Sequence, residues 1–146
     1  MKDQKLPLGV VVAKMNREMF RVLRKRFYES SETKLTIEQF GLLFAISNNE
    51  EDVVQQDMAN FFGKDKSSIL RLIDTLEEKE LIQRIIDSQD RRKKCLFVTD
   101  KGNEVIKEYL KIEFQLLDEL QRGLAESEMD TFYKVVHTIQ KNAKKL

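Results

Sequence analysis

The chain has 146 residues, 41% of them apolar and 35% charged, with one Pro and five Gly; that length fits one domain with its own core, and that composition argues against disorder. Lys and Arg number 26 against 25 Asp and Glu, a net charge of +1, so no general electrostatic pull toward nucleic acid or membrane exists and any affinity for phosphate must come from local placement. One cysteine, Cys95, and one histidine, His137, exclude an intrachain disulfide and leave no His/Cys cluster for a metal; neither metal nor cofactor is expected, and a reducing cytoplasm is the simplest setting.

Near the start, Leu6 to Ala13 behind Lys2 and Lys5 imitates a signal peptide but lacks a small-residue cleavage site, and no other apolar run approaches a membrane span. From Pro7 to about Glu29, Leu8, Val12, Met15, Met19, Val22 and Leu23 recur at helical spacing and predict a long amphipathic helix. Thr36 and Gln39 have capping-box spacing, and Phe40, Leu43 and Ile46 carry a second helix to about Ser47.

After an acidic linker, Asn48 to Asp52, a short helix is expected from Gln55 to Phe62, ended by Gly63. Asp65 then caps a helix from Lys66 to Lys79, with Ile69, Leu72, Ile73 and Leu76 on its apolar face. Leu81 to Ile86 and Cys95 to Thr99 read as strands around the charged turn Asp87 to Lys94, a hairpin too small to stand alone.

Thr99 caps a long helix bearing Val105, Ile106, Leu110, Phe114, Leu117 and Leu120. Beyond Gly123 a last helix bears Met129, Phe132, Val135, Val136 and Ile139. These stripes exceed what one small lobe can cover, so a second copy of the chain is the expected partner. The fold predicted is mainly α, a winged helix-turn-helix with long N- and C-terminal dimerisation helices and a two-stranded β-hairpin wing. Residues 1–34 and 101–146 would dimerise, and 35–100 would form a DNA-binding lobe within the same single domain.

In a helix-turn-helix the second helix enters the major groove, which makes Lys66, Ser67, Ser68 and Arg71, with Lys64 just before them, the candidate DNA contacts. Arg71 either reads guanine through its guanidinium fork or pairs with Asp74 or Thr75 on its own helix. Leu70 either touches a thymine methyl or packs on the preceding helix.

At the wing, Arg91 and Arg92 are placed to enter a minor groove and Lys93 and Lys94 to reach phosphates; a solvated turn is the alternative. Asp87 and Asp90 are read as supports that hold Arg84 or the tip arginines by paired hydrogen bonds, not as catalytic carboxylates. Cys95 is read as a packed apolar residue or a redox sensor, and His137 as a surface or interface histidine.

Leu35-Thr36 with Gln39-Phe40, Gln56-Asp57-Met58-Ala59, Asp65-Lys66-Ser67-Ser68 with Arg71, Leu76-Glu77, Leu81-Ile82 with Arg84, and the wing Asp87, Asp90-Arg91-Arg92 closing on Val98-Thr99 and Gly102 resemble the MarR family of bacterial transcriptional regulators over nearly the whole chain. The resemblance implies a triangular homodimer on a pseudo-palindromic double-stranded DNA site, usually repressing until a small ligand, such as an aromatic or phenolic effector, or an oxidant alters lobe spacing. It places Arg92 in the minor groove. An effector crevice would involve Met15, Met19, Phe20 and Phe40, for which ordinary core is the other reading.

The chain departs from the family at Glu80, where Gly is common, and at Ala125, where Ser or Thr is common. It also lacks the N-terminal cysteine of the peroxide-sensing branch and the His and Cys of the zinc-sensing one. The alternative function is a winged-helix module that binds protein and not DNA, suggested by the near-neutral charge and by Glu77, Glu78 and Asp87. No nucleophile, base and orienter form a recognisable motif, so no enzyme and no catalytic residue is expected.

Overall fold

A computed structural model describes residues 5–49, 53–54, 58 and 65–146. Helix α1, Leu8–Ser30, starts one residue after Pro7, whose carbonyl accepts from the Val10 and Val11 amides at 3.0 and 3.2 Å. It buries only Leu23 and Phe27 and leaves Leu8, Val11, Val12 and Met15 exposed. Helix α2, Ile37–Ser47, opens on the expected capping box: the Gln39 amide donates to Thr36 Oγ1 at 3.1 Å, and the Thr36 amide to Gln39 Oε1 at 3.0 Å. Two amides that no helical carbonyl can satisfy are thereby paired.

The core is centred on an aromatic cluster. Phe27 of α1 meets Phe40 of α2 edge-on at 5.4 Å and Tyr109 at 4.5 Å, and Tyr109 stacks on Phe40 at 5.4 Å. The buried Tyr109 hydroxyl also accepts the Leu35 amide at 2.8 Å, so one side chain both fills space and satisfies the chain entering α2.

Helix α3, Lys66–Glu78, buries Ile69, Ile73 and Leu76. It ends in a Schellman arrangement: the Glu80 amide donates to the Glu77 carbonyl at 2.9 Å and the Leu81 amide to that of Leu76 at 3.0 Å. This geometry needs a left-handed residue, and Glu80 supplies it at φ 62°. The departure from Gly noted in the sequence is thus a strained site, held by Thr99 Oγ1 donating to the Glu80 carbonyl at 2.7 Å. Glu80→Gly is expected to raise stability by about 0.5 kcal/mol, since relief of roughly 1 kcal/mol of left-handed strain exceeds the added freedom of the unfolded glycine. A lower urea midpoint for this variant would contradict the assignment of strain.

Strands β2, Ile82–Ile86, and β3, Lys94–Val98, pair antiparallel from Ile82 with Val98 to Ile86 with Lys94. Strand β1, Val53–Val54, pairs with β3 on its other edge, so the sheet has three strands in the order β1-β3-β2. The two-stranded hairpin of the wing is as expected, and β1 adds a third strand to its sheet. Two residues are too few for alternation to announce a strand. Among the described residues of the expected Gln55 to Phe62 helix is only Met58, helical and buried; the rest of that helix and Gly63 lie outside them.

Helix α4, Asp100–Leu120, is capped by Thr99 as expected, the Gly102 amide donating to Thr99 Oγ1 at 3.0 Å. The chain divides into two compact units, Met1–Phe114 and Gln115–Leu146, with the boundary inside α4. The second unit contains α5, Glu126–Ala143, which buries no residue and exposes Phe132, Tyr133, Val135 and Ile139. Ala125 precedes α5 with no side-chain acceptor, but Glu128 still accepts the Ala125 amide at 3.2 Å. No described helix is long and apolar enough to cross a membrane.

Candidate nucleic-acid interface

On α3 the buried Ile69, Ile73 and Leu76 fix the opposite face outward. Lys66, Ser67 and Arg71 are exposed, while Ser68 and Leu70 are half-buried. Lys64 lies outside the described residues. Asp65 occupies the N-cap position, but its carboxylate makes no capping hydrogen bond. The Ser68 hydroxyl nevertheless lies close enough to lower its pKa, with smaller contributions from the backbone and Arg71.

Arg71 does not pair with Asp74, whose carboxylate takes Arg84 instead; Thr75 donates its hydroxyl to the Arg71 carbonyl at 3.0 Å. The guanidinium of Arg71 is exposed on the face a groove would meet.

Arg84 points from β2 back to α3. It hydrogen-bonds Asp74, its Nε lies 3.4 Å from Glu77 Oε1, and its amide donates to Glu77 Oε2 at 3.1 Å. Burial works against its charge, yet hydrogen bonding and attraction from Asp74 and Glu77 outweigh that, so its pKa is raised. A half-buried cation with two carboxylates is well compensated, and it joins the wing to α3.

That arrangement corrects one expectation. Asp87 and Asp90 hold neither Arg84 nor the side chains of the tip; their carboxylates accept backbone amides. Asp87 Oδ1 takes the Gln89 amide at 2.8 Å and that of Asp90 at 3.3 Å, and Asp90 Oδ1 takes that of Arg92 at 3.0 Å. The Asp87 amide donates to the Lys93 carbonyl and the Lys93 amide to that of Asp90, each at 3.0 Å. Amide donation lowers the Asp87 pKa, with attraction to Lys93 adding to it. A short carboxylate closes a turn through its neighbours' amides more readily than it reaches a guanidinium on the same tip.

With the tip backbone so folded, Arg91, Arg92, Lys93 and Lys94 are all exposed. Four adjacent cations then stand on a turn whose own carboxylates are occupied by main chain, and that charge is available to phosphate.

The pairing of Asp74 and Glu77 with Arg84 is the part of this surface that sequence reasoning missed. Its signal was present: two carboxylates at i and i+3 near the end of a helix, followed by a tight turn and a strand arginine. Among the expected effector residues, Phe40 is sealed in the aromatic cluster, Met19 is half-buried, and Met15 and Phe20 are exposed. Cys95 is buried in β3 and His137 is exposed. Among the described residues no three His, Cys, Asp or Glu side chains gather where a metal ion would sit.

A family profile described as MarR family matches residues 35–94. A solved structure of a protein described as MarR is 31% identical, with a TM-score of 0.84, covering 99% of this chain and 96% of that one. A MarR-family transcriptional regulator from Rhodococcus sp. RHA1 is 20% identical with a TM-score of 0.82, over 95% of this chain and 96% of its own. The S. aureus MepR structure, solved as a DNA complex, is 20% identical with a TM-score of 0.78, over 95% of this chain and 99% of its own.

Proposed function

Because the chain belongs to the MarR family of winged helix-turn-helix transcriptional regulators, we propose that it binds double-stranded DNA sequence-specifically, as a homodimer on a pseudo-palindromic operator, and represses transcription there. The observation that carries this reading is the pairing of two outward surfaces: Lys66, Ser67 and Arg71 on α3, and Arg91 to Lys94 on a wing that Arg84 joins to α3. Arg71 and Ser67, with Ser68 at the edge of the same face, read bases in the major groove, while Arg92 enters the adjacent minor groove. Lys93 and Lys94 neutralise phosphates. MepR, which shares the fold, has been solved on DNA, and that lends support.

The homodimer is supported by uncovered apolar stripes on both terminal helices: Leu8, Val11, Val12 and Met15 on α1, and Phe132, Val135 and Ile139 on α5. Such stripes are stabilised by burial against a second copy. Residues 1–34 and 101–146 supply that interface and 35–100 the lobe. A small aromatic or phenolic effector would bind a crevice lined by Met15, Met19 and Phe20, with Phe40 supporting it from within the core. The site of action is the cytoplasm, where the DNA is.

Arg71→Ala is expected to weaken operator binding by about 1 to 3 kcal/mol per half-site and to relax preference at one base position. Arg92→Ala is expected to weaken binding while leaving the major-groove preference intact. Fluorescence anisotropy on the selected operator and on single-base variants of it separates these patterns. Wild-type affinity in both variants would overturn the mechanism.

A further inference from the structure

The largest local excess of positive charge among the described elements lies on α1, outside the recognition helix and the wing. Six cations, Lys14, Arg17, Arg21, Arg24, Lys25 and Arg26, stand there against Glu18 and Glu29, leaving twenty cations against twenty-three carboxylates in the rest of the chain. Helix α4, of similar length, shows the opposite balance, with Lys101, Lys107 and Lys111 against six carboxylates.

Five of the six, Lys14, Arg17, Arg21, Arg24 and Lys25, follow at i, i+3, i+7, i+10 and i+11, a face about 100° wide, turned away from the side that buries Leu23 and Phe27. All five are exposed. Glu18 lies 2.9 Å from Arg21 and Glu29 lies 4.0 Å from Lys25, both in exposed pairs of the weak kind that yield to a stronger anion. Among the described residues, Lys14, Arg17 and Arg24 form no salt bridge.

We propose that this stripe is a second phosphate-binding surface, which takes the sugar-phosphate backbone of the same duplex outside the contacts of α3 and the wing; it rests on the DNA-binding reading given above. From Lys14 to Lys25 the stripe runs about 16 Å, close to the length of five base-pair steps. Arginine forks on successive turns match phosphate oxygens and carry no base information. The stripe therefore supplies affinity and register, and a chain with a net charge of +1 gathers its phosphate contacts locally.

The test uses the full chain, with Arg17→Gln/Arg24→Gln set against Arg17→Lys/Arg24→Lys and against Lys144→Gln/Lys145→Gln, which removes the same charge elsewhere. Affinity for a selected operator and for a random duplex is measured between about 50 and 200 mM salt, with dimerisation followed by sedimentation and folding by circular dichroism. The glutamine pair on α1 is expected to flatten the slope of log K against log salt by about 2 to 4 per dimer. The flattening should be alike on both duplexes, with the lysine pair and the distal pair keeping the wild-type slope. An unchanged slope overturns the proposal, as does an equal change in the distal pair. A weakened dimer with unchanged slope would assign the stripe to a second copy and also overturn it. If the wild-type chain binds no duplex, the DNA-binding reading fails first; if it binds steeply and the α1 variant matches it, only the stripe is wrong.

Discussion

Tyr109→Ala is expected to lower the stability of the fold by about 3 to 5 kcal/mol, the range for emptying a large aromatic from a packed core. Tyr109 is fully buried and lies within 5.4 Å, ring to ring, of both Phe27 and Phe40, so its removal opens a cavity where α1, α2 and α4 meet. A typical domain holds about 5 to 15 kcal/mol in all, and this variant would therefore be unfolded in part at 37 °C. Tyr109→Phe separates the two roles of the side chain. It keeps the ring and removes only the acceptor of the Leu35 amide, 2.8 Å away, and is expected to cost about 1 to 3 kcal/mol. Urea unfolding of the two variants measures both; a phenylalanine variant as stable as wild type would show that the Leu35 amide does not depend on this hydroxyl.

Gly102→Ala is expected to cost about 2 to 3 kcal/mol, the upper part of the range for forced overpacking. A methyl group on Gly102 would lie 2.2 Å from the Leu81 carbonyl oxygen and 2.7 Å from Val98 Cγ1. The obstructing oxygen is backbone, and it already accepts the Thr99 amide at 3.0 Å, so it has no easy way to move aside. Relief would require the first turn of α4 to part from the end of α3 and the wing, which would also impair DNA binding. Gly9, which has nothing within 4 Å of such a methyl, is the internal control: Gly9→Ala should fold at least as well as wild type. Equal midpoints for Gly102→Ala and wild type would contradict the close approach.

The helices of the described residues were legible because their signals are local. Thr36 and Gln39 announce the start of α2, and the i, i+4, i+7 spacing of Ile69, Ile73 and Leu76 fixes which side of α3 faces out. The wing was legible from two strand-length runs about a charged turn. Strand β1 was not, because Val53 and Val54 become a strand only by pairing with Leu96 and Cys95 some forty residues later. The partner of Arg84 was misassigned for a related reason. Proximity in sequence favours Asp87, whereas the Schellman turn at Glu80 folds β2 back along α3 and brings Asp74 and Glu77 within reach. The tip aspartates were recognised as supports, but the amides they would hold depend on the turn geometry, which residue types alone leave open.

The basic wing, the outward face of α3 and the apolar terminal helices converge on one claim: the chain reads DNA as a symmetric dimer. Selection of bound duplexes from a random pool by the purified full-length protein tests it most directly. The expected result is an enriched inverted repeat, its half-sites spaced by about one or two helical turns, with affinity that falls steeply as salt is raised. A bound pool without a repeated half-site, or no bound DNA at low salt, would contradict it and favour a winged-helix module that binds protein.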